Sequence, residues 1–222
     1  RPERAGKSVG IGRYGEARLF YRSDDFKTLG ENGAEDRTVH LGLDVFMAAG
    51  SVVRAPLAGV VHGISDNRAR LDYGPCVILE HRVDDGQPLV FHTLYGHLTA
   101  ASLERLEVGK RIEQGDVIGY LGGADENGDW PPHLHLQIIA DPLGIEGTFP
   151  GVARPSDRAV WQSLSPDPNL ITRIPSRHFP SPPMSGTEIW TQRRECIGRN
   201  LAISYRQPVN IVASVTDSNL EW

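Results

Sequence analysis

At 222 residues the chain is long for one minimal module and short for three domains, so one ordinary domain with an appendage is expected. Hydrophobic residues make up 39% and charged residues 23%, enough to build a core and to exclude wholesale disorder. A net charge of −5 offers no basic excess for a phosphate backbone, so nucleic acid is excluded as an obvious partner. No run approaches the roughly 18 apolar residues of a helical membrane span.

The chain opens on Arg1-Pro2-Glu3-Arg4, without Met and without an apolar signal region, as expected of a processed chain or a piece of a longer one. Gly6 to Gly15 satisfies three short motifs at once: half a P-loop, G-x-S-x-G and G-x-G-x-x-G. Each needs a strand before it, and only polar residues precede. The stretch therefore reads as a flexible lead-in, and residues 1–38 as a segment partly packed on the adjoining domain.

From there to residue 150, short apolar runs alternate with turn signals: Ser51 to Val61, Cys76 to Glu80, Leu89 to Leu98, Asp116 to Leu121 and His133 to Ile139. They predict a mainly β domain of short antiparallel strands. Asp84-Asp85-Gly86-Gln87 predicts a hairpin turn, and Thr99 to Leu106 a helix of about two turns. Nine of the 16 prolines follow Phe149, which marks a boundary near 150. Residues 151–222 read as an extended Pro-rich tail with one short helix, near 186–198, opened by Ser185-Gly186-Thr187-Glu188. Cys76 and Cys196 read as two free, largely buried thiols rather than as a disulfide framework.

The histidines carry the chemical signal. His133-Leu134-His135 on a strand turns two imidazoles to one face. His40-Leu41-Gly42-Leu43-Asp44, if on a strand, also puts His and Asp on one face, and Gly42 removes a side chain that would crowd them. His97 ends Phe91 to His97, with Thr93 and Tyr95 expected on its face and His92 facing away. Three strands thus offer imidazoles and one carboxylate, the ligand chemistry of zinc; three protein ligands leave a position for water, and four close the site. No H-E-x-x-H is present, so a helix-borne zincin is excluded.

These residues, with Gly50 to Pro56, Ala58 to Val61, Tyr73-Gly74, Val77 to His81, Leu94 to Leu98, Val108-Gly109, Gln114 to Gly119 and Pro132 to Leu136, resemble the lysostaphin/LytM-type zinc endopeptidases in order and spacing. The resemblance covers about residues 39–139. It implies an antiparallel sheet or sandwich of the LytM type, akin to the duplicated hybrid motif, with a metallopeptidase domain at 39–150. It implies one Zn2+ per chain held by His40, Asp44 and His135, with His97 and His133 as unliganded catalytic histidines. His81, Tyr95 and Trp130 are expected around the site without ligating, His81 in a supporting or structural role. The implied substrate is a peptide, of the peptidoglycan cross-link or Gly-rich kind.

One departure stands out. Where the family has Ser, Thr and Gly before Pro-His-Leu-His, this chain has Asn127-Gly128-Asp129-Trp130-Pro131-Pro132, a bulkier, partly acidic rim. Further on, Trp190 to Arg194, Gly198 to Tyr205 and Gln207-Pro208-Val209 resemble the opening segment of class-III pyridoxal-phosphate aminotransferases. That likeness implies further domains of a fusion protein. The compartment stands between two possibilities: cytoplasm for a fusion fragment, cell envelope for a typical member. Two other functions remain in play: a non-catalytic LytM-like binding or regulatory domain within a larger protein, and a carrier domain of the biotinyl/lipoyl kind. The second has no Lys at a suitable hairpin tip and leaves Asp44 unexplained.

Overall fold

A computed structural model describes residues 9–18, 26–30, 33–84, 86–179 and 211–215. Most of the described strands are short and follow the Val, Ile, Leu and aromatic runs. In chain order the strands are β1 (Val9–Gly12), β2 (Lys27–Gly30), β3 (Gly33–Asp36), β4 (Val39–His40), β5 (Leu43–Phe46), β6 (Val52–Arg54) and β7 (Gly59–Asn67). β8 (Gly74–Asp84) and β9 (Pro88–Gly96) come next, then helix α1 (Ala100–Leu103), β10 (Arg111–Ile112), β11 (Val117–Tyr120) and β12 (His133–Ile139). The remainder comprises β13 (Val152–Ala153), α2 (Arg158–Leu164), α3 (Asn169–Thr172) and β14 (Ile211–Val215). The long strands are β7, β8 and β9, which reach 9, 11 and 9 residues. No described helix is long and apolar enough to cross a membrane.

One antiparallel sheet of eight strands, in the order β10-β7-β8-β9-β12-β5-β1-β14, organises the chain. Three two-stranded sheets flank it: β11-β6, β13-β4 and β2-β3. Alternation along the strands divides the side chains between two layers. Tyr95 sits directly across from Val77 on one side and Leu136 on the other. These three share a core with Leu79, Leu98, Ile118 and Leu121, under β6, β11 and α1. On the opposite face Cys76, Ile78, Leu94 and Ile139 pack with Phe149, and Trp161 and Leu164 of α2 close over them. Leu94 and Ile139 are wholly buried, each worth about 1.5–3 kcal/mol of transfer free energy.

The expected hairpin is present: Asp84 pairs with Pro88, and Gly86 takes φ +99° in the turn. The helix expected over Thr99 to Leu106 is only Ala100–Leu103. Regular structure also occurs where the prolines suggested none. In α3, Pro168 stands just before the first helical residue, where a missing N–H costs no helical bond. The described part of the segment after 150 is packed rather than extended: Leu41 N–H donates to the Gly151 carbonyl and Ala140 N–H to the Leu164 carbonyl, at 2.9 and 2.7 Å. The helix expected near 186–198 and Cys196 lie outside the described residues. Cys76 is buried and free, and burial pushes its thiol up to about 12.

The largest correction concerns the Gly-rich lead-in. Residues 9–12 are not a loose leader but strand β1, inserted beside β5 with Gly12 directly across from Asp44. Gly12 serves close approach. A Cβ on Gly12 would fall 2.7 Å from Arg18 Nη2 and 3.1 Å from Asp44 Cβ. Gly12→Ala should therefore push Arg18 off Asp44 and cost about 1–3 kcal/mol, the usual penalty of overpacking. Urea unfolding checks it; a midpoint equal to the parent's would mean that the approach is not tight.

Candidate metal centre

Asp44 on β5 and His135 on β12 face each other in register. His40 joins them from β4, which pairs not with the main sheet but with β13. The H-x-x-x-D motif is therefore not one strand, as the sequence suggests. The chain bends at Leu41-Gly42, and that bend brings His40 and Asp44 together. Gly42 leaves the space expected of it: a Cβ there would lie 2.5 Å from His135 Nε2 and 2.9 Å from the Leu136 carbonyl oxygen.

Three atoms converge. His40 Nε2 is 3.1 Å from His135 Nδ1, and Asp44 Oδ1 is 3.2 Å from each of them. All three residues are buried. Their neighbours decide which atoms carry protons. His40 Nδ1 lies 2.9 Å from the Arg13 carbonyl, which can only accept, and 3.0 Å from Arg18 Nη2, which can only donate; the tautomer that bonds the carbonyl carries its hydrogen on Nδ1 and a lone pair on Nε2. His135 Nε2 lies 3.0 Å from Gln137 Oε1, which leaves the Nδ1 lone pair inward. The Gln137 amide is oriented in turn, its Nε2 donating to the Pro150 carbonyl and Ser165 Oγ at 3.0 and 2.8 Å. Three lone-pair atoms thus face one another with no proton among them, an arrangement that a cation relieves. Tetrahedral zinc with bonds of about 2.0–2.1 Å requires ligand atoms about 3.3–3.4 Å apart. The donor set fits.

Asp44 is held as a carboxylate. Burial alone would raise its pKa, but the Arg18 guanidinium, followed by the His40 and His133 imidazoles, brings it well below the usual range. Arg18 Nη1 donates to Asp44 Oδ2 at 2.7 Å, and its Nε donates to Glu16 Oε1 at 2.8 Å. That grip occupies Oδ2 and leaves Oδ1 to the imidazoles.

His133 and His97 stand beside this triangle. His133 shares the face of His135, stacks on Phe46 with ring centroids 4.8 Å apart, and places Nε2 3.7 Å from Asp44 Oδ2. His97 succeeds β9 in a left-handed conformation, φ +63°, with its ring centroid 4.2 Å from that of His133. Each has one nitrogen tied to a carbonyl: His97 Nδ1 to Asn127 at 2.9 Å and His133 Nδ1 to Pro131 at 2.7 Å. Both carbonyls belong to the loop in which this chain departs from the family's motif. Asn127 holds that loop together, its Oδ1 accepting from Trp130 N–H and its Nδ2 donating to the Trp130 carbonyl, both at 3.0 Å. Trp130 stands at the rim, its ring centroid 6.1 Å from each of His97 and His133.

The left-handed turn at His97 also overturns two expectations. Tyr95 does not share the face of His97; it points into the core on the other side of the sheet. His92 does not face the opposite side, because its registered partner Ile139 and His135 belong to the same face of β12. It still does not reach the site and lies against His62 and Glu80. His81 is structural and remote, bonded to the Ala58 carbonyl and Thr93 Oγ1, both at 2.7 Å.

The five residues open into a cleft of about 520 Å3, walled by Phe26, Leu71, Tyr73 and Trp130, with Arg37, Arg70 and Asp72 as charged lining. Arg18, Glu16 and Ser165 carry no sequence signal for this site. Gln137 does, because it continues the every-second-residue pattern of His133 and His135.

In the metal-free chain burial, reinforced by Arg18, pushes His40 down to about 4. Burial likewise lowers His97 and His133. Between the usual histidine value and these, the unfolded chain binds more protons than the folded one, so stability falls as pH drops through that window. Glu16, raised by burial to about 7, works the other way, but it is one group against five, since burial lowers His81 and His92 as well. The metal-free chain should lose thermal stability steadily from pH 6.5 to pH 4, measured by thermal unfolding at fixed ionic strength; a constant Tm would contradict it.

Comparison with known proteins bears on residues 38–145, which match Peptidase family M23. No curated protein shows significant similarity. Among solved structures, the catalytic domain of the antimicrobial peptidase lysostaphin from Staphylococcus simulans is 24% identical, with 68% of this chain and 90% of that one covered and a TM-score of 0.40. For the catalytic domain of the prophage-encoded M23 protein EnpA from Enterococcus faecalis the values are 19%, 68%, 97% and 0.42. For a zinc-containing peptidase from Vibrio cholerae they are 20%, 57%, 36% and 0.37. These TM-scores are low and add nothing to the family match. That match ends at residue 145 and lends the aminotransferase likeness no support. Within this chain, residues 38–145 are a Peptidase M23 domain.

Proposed function

We propose that the chain is a zinc-dependent endopeptidase, with His40, Asp44 and His135 as metal ligands and His97 and His133 as catalytic bases and acids. The observation that carries this reading is the triangle of lone-pair atoms 3.1–3.2 Å apart, with two more imidazoles on the same cleft. Zinc bound there would supply a Lewis acid for a scissile carbonyl and lower the pKa of a water molecule. His97 and His133 each keep Nδ1 on a carbonyl, so each offers Nε2 to take a proton from the attacking water or to give one to the leaving amine. Their lowered pKa values keep both neutral near pH 7, the state a base requires. The Arg18 grip keeps Asp44 ionised as peptide enters, and the apolar walls of the cleft exclude water around the reacting bond. The substrate is a peptide, of the peptidoglycan cross-link or Gly-rich kind typical of the family.

Two results test this. Asp44→Ala and His135→Ala should each lose one equivalent of zinc relative to the parent, measured by elemental analysis, and all hydrolysis of peptidoglycan fragments and oligoglycine. His97→Ala should keep the parent's zinc content and slow turnover by roughly 10²-fold or more. Zinc loss in His97→Ala would overturn the division of roles, and binding of these substrates without turnover by the zinc-loaded parent would favour a non-catalytic domain. Gln137→Leu removes the acceptor of His135 Nε2–H and should weaken zinc binding about 10–100-fold in chelator competition. Unchanged affinity would mean that Gln137 does not set the His135 tautomer.

A further inference from the structure

A second cluster on the same sheet has no part in the chemistry above. His62, Glu80 and His92 come from the adjacent strands β7, β8 and β9, each with one ligand atom within 4.8 Å of the others'. Glu80 lies directly across from His92. His62 falls where the β7–β8 register shifts between Val61 and Gly63, and it meets His92 edge to face with ring centroids 4.5 Å apart.

We propose that His62, Glu80 and His92 form a second binding site, mononuclear, for a late first-row divalent cation of the zinc kind. The donors are two imidazoles and a carboxylate, the set such ions prefer. Glu80 Oε2 is the shared corner, 3.8 Å from His92 Nε2 and 4.0 Å from His62 Nδ1. Its other oxygen is already engaged, Arg82 Nε donating to Oε1 at 2.7 Å, so the carboxylate is aimed rather than free to swing. The independent sign is His92. It is only 4% exposed, yet neither ring nitrogen makes a hydrogen bond of good geometry, its interaction with the Ile139 backbone being a weak one. A buried imidazole in that condition loses the hydrogen bonds that water gave it, and a bound cation would recover that loss. The gaps exceed the roughly 3.3 Å separation of tetrahedral zinc ligands, so the site must contract by about 0.5–0.7 Å along its Glu80 edges, and by up to about 1.5 Å between the imidazoles, on binding. His62 and Glu80, whose side chains are 25% and 22% exposed, have the freedom to do so.

The site is not a partner in hydrolysis. His92 is four residues along β9 from Gly96, the position registered with His135, a span of about 13 Å at strand spacing. Paired catalytic metals stand about 3.5–4 Å apart. A cation here would tie three neighbouring strands together at the far end of the catalytic sheet.

The test is zinc binding to the full chain by competition with a chromophoric chelator, with fold checked by circular dichroism. The parent should bind two equivalents. His135→Ala should keep one, and adding Glu80→Gln should weaken that one at least about tenfold. Glu80→Gln alone should spare the other. His92→Ala in the His135→Ala background should behave as Glu80→Gln does; because it empties a buried position, Glu80→Gln, part-exposed and isosteric, decides if the fold is lost. The remaining ion should also raise the Tm of His135→Ala in a zinc-dependent way that Glu80→Gln removes. A His135→Ala chain that binds no zinc, or whose zinc is indifferent to Glu80→Gln, overturns the proposal. If the catalytic site itself takes no zinc, the parent binds a single equivalent, sensitive to Glu80→Gln and not to His135→Ala, so the two readings fail separately.

Discussion

Three lone pairs turned on one another, at His40 Nε2, His135 Nδ1 and Asp44 Oδ1, are the constraint on which the rest depends. Left alone, they repel. The fold tolerates them because each residue is gripped from behind by a group that fixes its proton or its charge. The Arg13 carbonyl does this for His40, Gln137 for His135 and Arg18 for Asp44. The cost of bringing three acceptors together is met by packing and hydrogen bonds elsewhere, and the product is a candidate cation site.

Those grips come from parts of the chain that look peripheral. Arg13 and Arg18 come just after β1, ahead of the matched family segment, and Gln137 is steadied by Ser165 from beyond residue 150. Tyr14 adds a further tie, its hydroxyl donating to the Ser165 carbonyl at 2.7 Å. The flanking segments therefore reach each other as well as the centre. A piece cut to residues 38–145 would keep all three proposed ligands and Gln137 but lose the grips of Arg13 and Arg18 and the Ser165 contact that steadies Gln137.

The loop Asn127 to Pro132 plays the same part for the other two imidazoles. Its carbonyls hold His97 and His133 in one tautomer each, and its Trp130 forms the rim. One loop therefore sets both the proton positions on these histidines and the shape of the cleft mouth. This ties the shape of the cleft mouth to the orientation of these two imidazoles.

Much of this was written in the sequence. Alternation marked the strands, H-x-H placed two imidazoles on one face, and Gly42 announced a crowded neighbour, because a two-residue period and a missing Cβ are local properties. The pairing of His40 with Asp44 was legible, though for the wrong reason: a bend, not a strand, joins them. Tertiary structure alone decided the remainder. The left-handed backbone at His97 reversed the faces expected for Tyr95 and His92, and β1 turned from leader to sheet strand. Arg18 found Asp44 across 26 residues, and Gln137 found Ser165 across 28. A buried charge or amide is satisfied by whichever group the folded chain brings within reach, and no spacing along the chain records that distance.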